Sequence, residues 1–176
     1  ALSTAVIASL TSDQAKALTA DQAAALTTAQ AKALTAASLT AMESTQLNQL
    51  SAANVATLSA SQINAIESGD LVLMSADQVK AINTAAIAGM SADLVTSLTT
   101  DQVSALGTAQ IRALKSAQIV ALDSNQAAVL SKAQVEAMTT GQLKAFDSED
   151  FGSLSASAIT GLSAAQVKVL SSDQIV

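Results

Sequence analysis

Large apolar residues return along this chain at a fixed interval of eight. Stepping from Leu2 through Leu10, Leu18, Leu26 and Leu34 to Leu170, all 22 marks are Leu, Ile, Met or Phe, without one slip in register. A second apolar column stands five positions later, from Ile7, Ala15 and Ala23 to Ile175, and again no member is polar. Between the columns lie mostly Ser, Thr, Asp, Gln and Ala. The unit reads L-[ST]-x-x-Q-[VIA]-x-A, as in Leu98-Thr-Thr-Asp-Gln-Val-Ser-Ala105. Self-similarity at a fixed period indicates a repeat architecture before any single element is assigned.

No straight element can use a period of eight. An α-helix advances about 100° per residue, so the Leu column would swing by roughly 80° at each repeat and never face one partner. Heptad and eleven-residue coiled coils fail for the same reason. A strand would send the two columns to opposite faces, and a chain rich in Ala, Leu, Gln and Lys disfavours strands.

The polar half of the unit supplies the alternative. The residue after each mark is Ser, Thr, Asp, Asn or Gly in 19 of 22 units, and Gln follows three residues later in 14. That is a capping box, in which the hydroxyl accepts from the third backbone N–H and the Gln reaches back to the cap's own N–H. In Thr11–Leu18, Thr11 caps, residues 12–17 make about a turn and a half of helix, and Leu18 closes it before Thr19 caps the next. Ala15 and Leu18, three apart, share one face.

The expectation is therefore an all-α solenoid of 22 very short helices joined by corners without loops. One octad orders eight residues but buries only two large side chains, so its stability must come from stacking. A small-residue column (Ala17, Ala25, Ala33, Ala65, Ala81, Ala105, Ala113, Ala121) would let neighbouring helices approach closely. Residues 1–176 are read as a single repeat domain, a fragment of a longer array.

A weaker rhythm bears on the number of helices per coil. Met42, Met74, Met90 and Met138 fall in every second unit, and Lys16, Lys32, Lys80, Arg112 and Lys144 all stand at multiples of sixteen. This predicts a 16-residue super-repeat pairing a more solvated with a more enclosed helix. Two helices per coil is favoured, four also fits, and three does not. At a stacking distance of roughly 8 to 10 Å, eleven two-helix coils would extend on the order of 100 Å, and four-helix coils about half that.

Composition narrows the chemistry. Cys, His, Trp, Tyr and Pro are absent, aromatics are 1% and charged residues 12%. That excludes a disulfide framework, thiolate or imidazole metal ligation, and a Ser-His or Cys nucleophile system. No catalytic, cofactor-binding or metal site is assigned, and an enzyme is not expected. Eight cations against fourteen acids give a net charge of −6, with a pI near 4.3, which speaks against nucleic acid as partner. Mean hydropathy is +0.41, yet the longest strongly apolar stretch, Leu71–Met74, is far too short to span a membrane. Ala1 opens without a basic or apolar leader, so no signal peptide is read.

Four features offer themselves as sites. The Lys/Arg row could line a binding stripe, but neighbouring acids such as Asp13, Asp77 and Asp93 favour a solvated face. Asp13, Asp21, Asp77, Asp93, Asp101 and Asp173 each fall in a first helical turn, where the helix dipole favours a carboxylate without any metal. Asp147-Ser-Glu-Asp-Phe-Gly152 lacks the spacing of an EF-hand, and its Asp147 and Asp150 occupy capping-box positions. The two irregular units, Glu67–Met74 and Asp147–Leu154, are read as wider core layers with a Gly corner, with Phe146 and Phe151 in the core in preference to a docking knob.

The run Leu10-Thr-Ser-Asp-Gln-Ala-Lys-Ala-Leu18, continuing to Gln30, resembles the LTxxQ[IV]xAL arrays of very large bacterial surface or secreted repeat proteins, labelled adhesin-like or haem-utilisation-like. The resemblance covers the whole chain and carries no catalytic residue. With no His, Tyr or Cys for an axial ligand, no haem site is implied. The opening LTxxQVVAI of TAL-effector repeats is similar only in capping grammar and implies no DNA binding. The resemblance implies a stalk or spacer of a secreted or cell-surface protein. Its expected partners are neighbouring repeats of the same or identical chains, stacked end to end. The alternative is a solenoid module that binds a cell-surface protein or glycan along one face.

Overall fold

The computed structural model describes residues 2–175. Those residues form 21 short α-helices and one closing 3₁₀ turn, and no strand. The chain divides into two compact units, Ala1–Met90 and Ser91–Val176. In the first lie α1 (Thr4–Ala8), α2 (Ser12–Lys16), α3 (Ala20–Ala24), α4 (Thr28–Ala33), α5 (Ala36–Ala41) and α6 (Ser44–Leu47). They are followed by α7 (Ala52–Val55), α8 (Ala60–Ile63), α9 (Ser68–Leu71), α10 (Ala76–Ala81) and α11 (Thr84–Gly89). The second holds α12 (Ala92–Thr96), α13 (Thr100–Ala105), α14 (Thr108–Ala113), α15 (Ser116–Val120) and α16 (Ser124–Ala128). It continues with α17 (Lys132–Ala137), α18 (Thr140–Leu143), α19 (Ser148–Gly152), α20 (Ala156–Ile159), α21 (Ala164–Val167) and the 3₁₀ turn Ser172–Gln174.

Most octads start their helix with a local side-chain cap, and many complete the capping box. Thr11 Oγ1 accepts from the Gln14 N–H at 3.2 Å while Gln14 Oε1 accepts from the Thr11 N–H at 3.0 Å. The corner follows from two consecutive extended residues. Leu34 (φ −59°, ψ 132°) and Thr35 (φ −78°, ψ 161°) both lie in the broad extended region open to any L-residue. Among the described residues no φ is positive, so the corner needs neither glycine nor proline.

Inside each unit, packing joins every helix to the one three positions on. Unit 1 runs from α1 against α4 to α8 against α11, and unit 2 from α12 against α15 to α19 against the 3₁₀ turn. A coil is thus three octads, 24 residues, and the expected two helices per coil is corrected, along with the alternative of four. The 100 Å estimate and its half belonged to those coils. The sixteen-residue rhythm of Met and Lys does not mark the coil. Octads flanked by coils on both sides bury the same mark and second-column positions, and nearly all their rungs, so burial repeats every eight residues with no enclosed and solvated sets. Met42, Met74, Ile66 and Ile82 are all at most 3% exposed.

Exposure at the outermost coils assigns the faces. Leu2 is 50% exposed while Ile7 in the same octad is fully buried, and Ile159, Val167 and Ile175 are 40%, 47% and 62% exposed. The second column therefore faces the coil ahead, and the Leu column faces the coil behind. The small-residue column marks the close approach expected of it. A Cβ on Gly89 of α11 would stand 2.4 Å from the Cβ of Ala60 in α8.

Candidate functional site

The most constructed chemistry in either unit is a ladder of glutamine amides. Each rung starts as the capping box, with Oε1 taking the cap N–H. The same amide then uses its Nε2 to donate to carbonyls 28 and 31 residues earlier, at the helix end bordering the corner directly behind. Gln62 donates to the Leu34 carbonyl at 2.7 Å and to that of Ala31 at 3.4 Å. Gln78 reaches Leu50 and Leu47 at 2.8 and 3.1 Å. In the second unit Gln126 reaches Leu98 and Val95 at 2.7 and 3.1 Å, and Gln142 reaches Leu114 and Ile111 at 2.8 and 2.7 Å. A helix end leaves carbonyls without intrahelical partners, and these corners have no loop to satisfy them. The glutamine solves that problem from the next coil.

Sequence reasoning assigned this Gln to capping alone. The missed signal was the identity of the residue, because a capping box accepts Glu as readily as Gln, yet the position holds 14 Gln and no Glu. Only the amide has N–H groups left to donate. Substitutes confirm the need. Asn54 Nδ2 donates to the Leu26 carbonyl at 2.9 Å. Where Ala86 leaves the rung empty, the cap Asn83 does both jobs. Its Oδ1 accepts from the Ala86 N–H at 2.9 Å, and its Nδ2 donates to the Leu58 carbonyl at 2.7 Å. Among the described residues no buried side-chain N or O atom is left without a partner.

The candidate sites fare differently. A 24-residue coil scatters the cation row. In unit 1, Lys32 and Lys80 share a side but Lys16 lies on another, and in unit 2 Arg112 and Lys144 lie on different sides. Lys16 instead pairs with Glu43 at 3.0 Å on the surface. Asp13, Asp21, Asp77, Asp93, Asp101 and Asp173 do occupy first turns. Among the described residues no three acids gather as a metal-holding group, and no helix is long and apolar enough to cross a membrane.

The irregular octads differ from the rest at the rung itself. Asp147 Oδ1 caps by accepting from the Asp150 N–H at 2.8 Å. Asp150 does not complete the box, however, and accepts from the Ser124 Oγ–H one coil back at 2.7 Å. Asp150 thus reverses the stitch, taking a proton donor from the helix behind where glutamine gives one. At Asp70, burial and then the charge of Glu67 raise the carboxyl above the ordinary aspartate range, opposed by the backbone N–H of Ser44. Phe146 and Phe151 are each 4% exposed and meet edge to face at 6.4 Å, so they fill the core and are not a surface knob. The expected Gly corner is also corrected, since Gly69 and Gly152 sit inside α9 and α19.

No curated protein matches the chain significantly. The ALTTAQ repeat profile matches residues 1–28, 63–100, 103–140 and 143–176, four segments spread over most of its length. The alternation of hydroxyl cap, ladder glutamine and buried aliphatic pair recurs across those segments, and the chain belongs to the ALTTAQ-repeat family.

Proposed function

We propose that this chain is a structural spacer, a segment of a bacterial surface or secreted adhesin-like protein that carries other modules at a distance and has no catalysis of its own. One observation carries the reading. The buried polar chemistry of the repeat is spent on joining octad to octad, through caps and amide rungs whose atoms already have partners. The same grammar supplies the proposed partner, namely further octad coils. Leu2 and Leu18 line a hollow of about 250 Å³ with Gln22 and Gln30, and Ile159, Val167 and Ile175 stand exposed on the opposite kind of face. These two faces match the two sides of every internal coil contact, so identical chains stack end to end. Neither nucleic acid nor a membrane interior is a partner in this reading.

Sedimentation of the chain over a wide concentration range tests the stacking, with association expected and its loss expected in Leu18→Asp. A monomer at every concentration removes end-to-end assembly and leaves the spacer role. Specific retention on cell-surface protein or glycan, abolished by Lys32→Ala with Lys80→Ala, would replace the spacer reading with that of a binding module.

A further inference from the structure

The three-octad coil sorts the charges of unit 2 by side. The octads of α15, α18 and α21 stack on one another, and each carries one lysine and no acid, namely Lys115, Lys144 and Lys168. Only α12, which begins that side, adds an acid, Asp93. The next side, formed by the octads of α13, α16, α19 and the closing turn, carries Asp101, Asp123, Asp147, Glu149, Asp150 and Asp173 and no cation. On the third side Lys132 meets Glu136 at 3.9 Å. Among the described residues the three lysines of the basic side form no ion pair. Two rows on these sides share one period. Val120, Lys144 and Lys168 stand 24 residues apart along the basic side, all exposed, Val120 by 64%. Asn125, Glu149 and Asp173, also exposed, stand 24 residues apart along the acidic side. One coil separates neighbours in either row, so the two rows have equal pitch.

We propose that unit 2 docks side by side on unit 2 of a second copy, basic side against acidic side, with the two rows in register. Lys144 then meets Glu149 of the second copy, Lys168 meets Asp173, and Val120 covers the uncharged Asn125. Covering the valine removes apolar surface from water. The charge pairs are individually weak, but in a row they fix orientation and exclude other registers. At about 0.15 M salt the screening length is roughly 8 Å, which mutes repulsion between net-negative chains more than it mutes pairs in contact. Each copy uses two different sides, so the contact is heterologous and addition continues laterally. This goes beyond end-to-end stacking and uses none of the residues named for it.

Sedimentation of the full chain carrying Leu18→Asp, which removes end-to-end stacking, reads the lateral contact by itself. Self-association is expected in this background. Adding Lys144→Glu with Lys168→Glu should weaken it by about tenfold, and so should adding Glu149→Lys with Asp173→Lys. Mixed together, the two charge-reversed chains should associate again, because each then offers the side that the other requires. Misfolded chains would not regain association on mixing. A background chain that stays monomeric, reversals that change nothing, or a mixture that stays dissociated would each overturn the proposal. Binding of the monomer to vesicles of phosphatidylserine and phosphatidylcholine through Lys144 and Lys168, without self-association, would assign the basic side to an anionic surface and also overturn it.

Discussion

Two roles meet on one side chain at each rung, and the first coil separates them. Gln14 in α2 caps Thr11 but has no coil behind it in unit 1, whereas Gln62 in α8 caps Ser59 and also donates to the carbonyls of Ala31 and Leu34. Replacing Gln14 by Met should cost about 1 kcal/mol or less, the value of a cap. Replacing Gln62 by Met, similar in volume but unable to donate, should cost about 2 to 4 kcal/mol, because the cap is lost and the Leu34 carbonyl is left dry, while that of Ala31 keeps its bond from the Leu34 N–H. Urea melts of the two variants check the difference, and equal costs would mean that the cross-coil bonds add nothing. The close contact at Gly89 allows a second test. Gly89→Ala should destabilise by roughly 1 to 3 kcal/mol through overpacking, and Ala60→Gly in the same chain should recover most of it. Additive losses in the double-mutant cycle would show that the clash is not the cause.

At the scale of the element, the octad is a helix because its start is specified strongly and its end is specified by the next start. Ala52, the first residue of α7, follows Ser51 at φ −63°, ψ 155°, a conformation that tolerates a following proline. Ala52→Pro should therefore be neutral or add about 0.4 to 1 kcal/mol. Asn54→Pro, two residues on, removes the N–H that Ser51 Oγ caps and should be strongly destabilising. Thermal melts that rank the two prolines the other way would refute this account of the corner. Much of this was legible beforehand, since the caps, the two buried columns and the loopless corners all follow from residues one octad apart. The count of three helices per coil was not legible. All three sides bury the same positions, so no column of the sequence varies with a period of 24. What closes the coil is the turning angle of two extended residues and the reach of a glutamine across to the corner behind, and both are three-dimensional quantities. The rhythm that did show, Met and Lys at sixteen, belongs to side chains that the core or the solvent accepts on any side.

Within each unit, contacts reach one coil ahead and one coil behind, so stability should be a sum of neighbour interfaces. Octads with a single neighbour have less to lose on opening. In the first unit α1–α3, with Leu2 half exposed, and in the second α20, α21 and the closing turn, with Ile159, Val167 and Ile175 uncovered, should exchange their amides first. Protection should rise toward the interior of each unit; uniform exchange along the chain would contradict the neighbour picture. The absence of any positive φ among the described residues has a genetic consequence. Unequal recombination can lengthen or shorten such an array by whole octads without having to deliver a glycine, a loop or any particular codon at the junction. Copy number is then free to drift or be selected, while the identity of residues on the outer positions evolves on a separate clock.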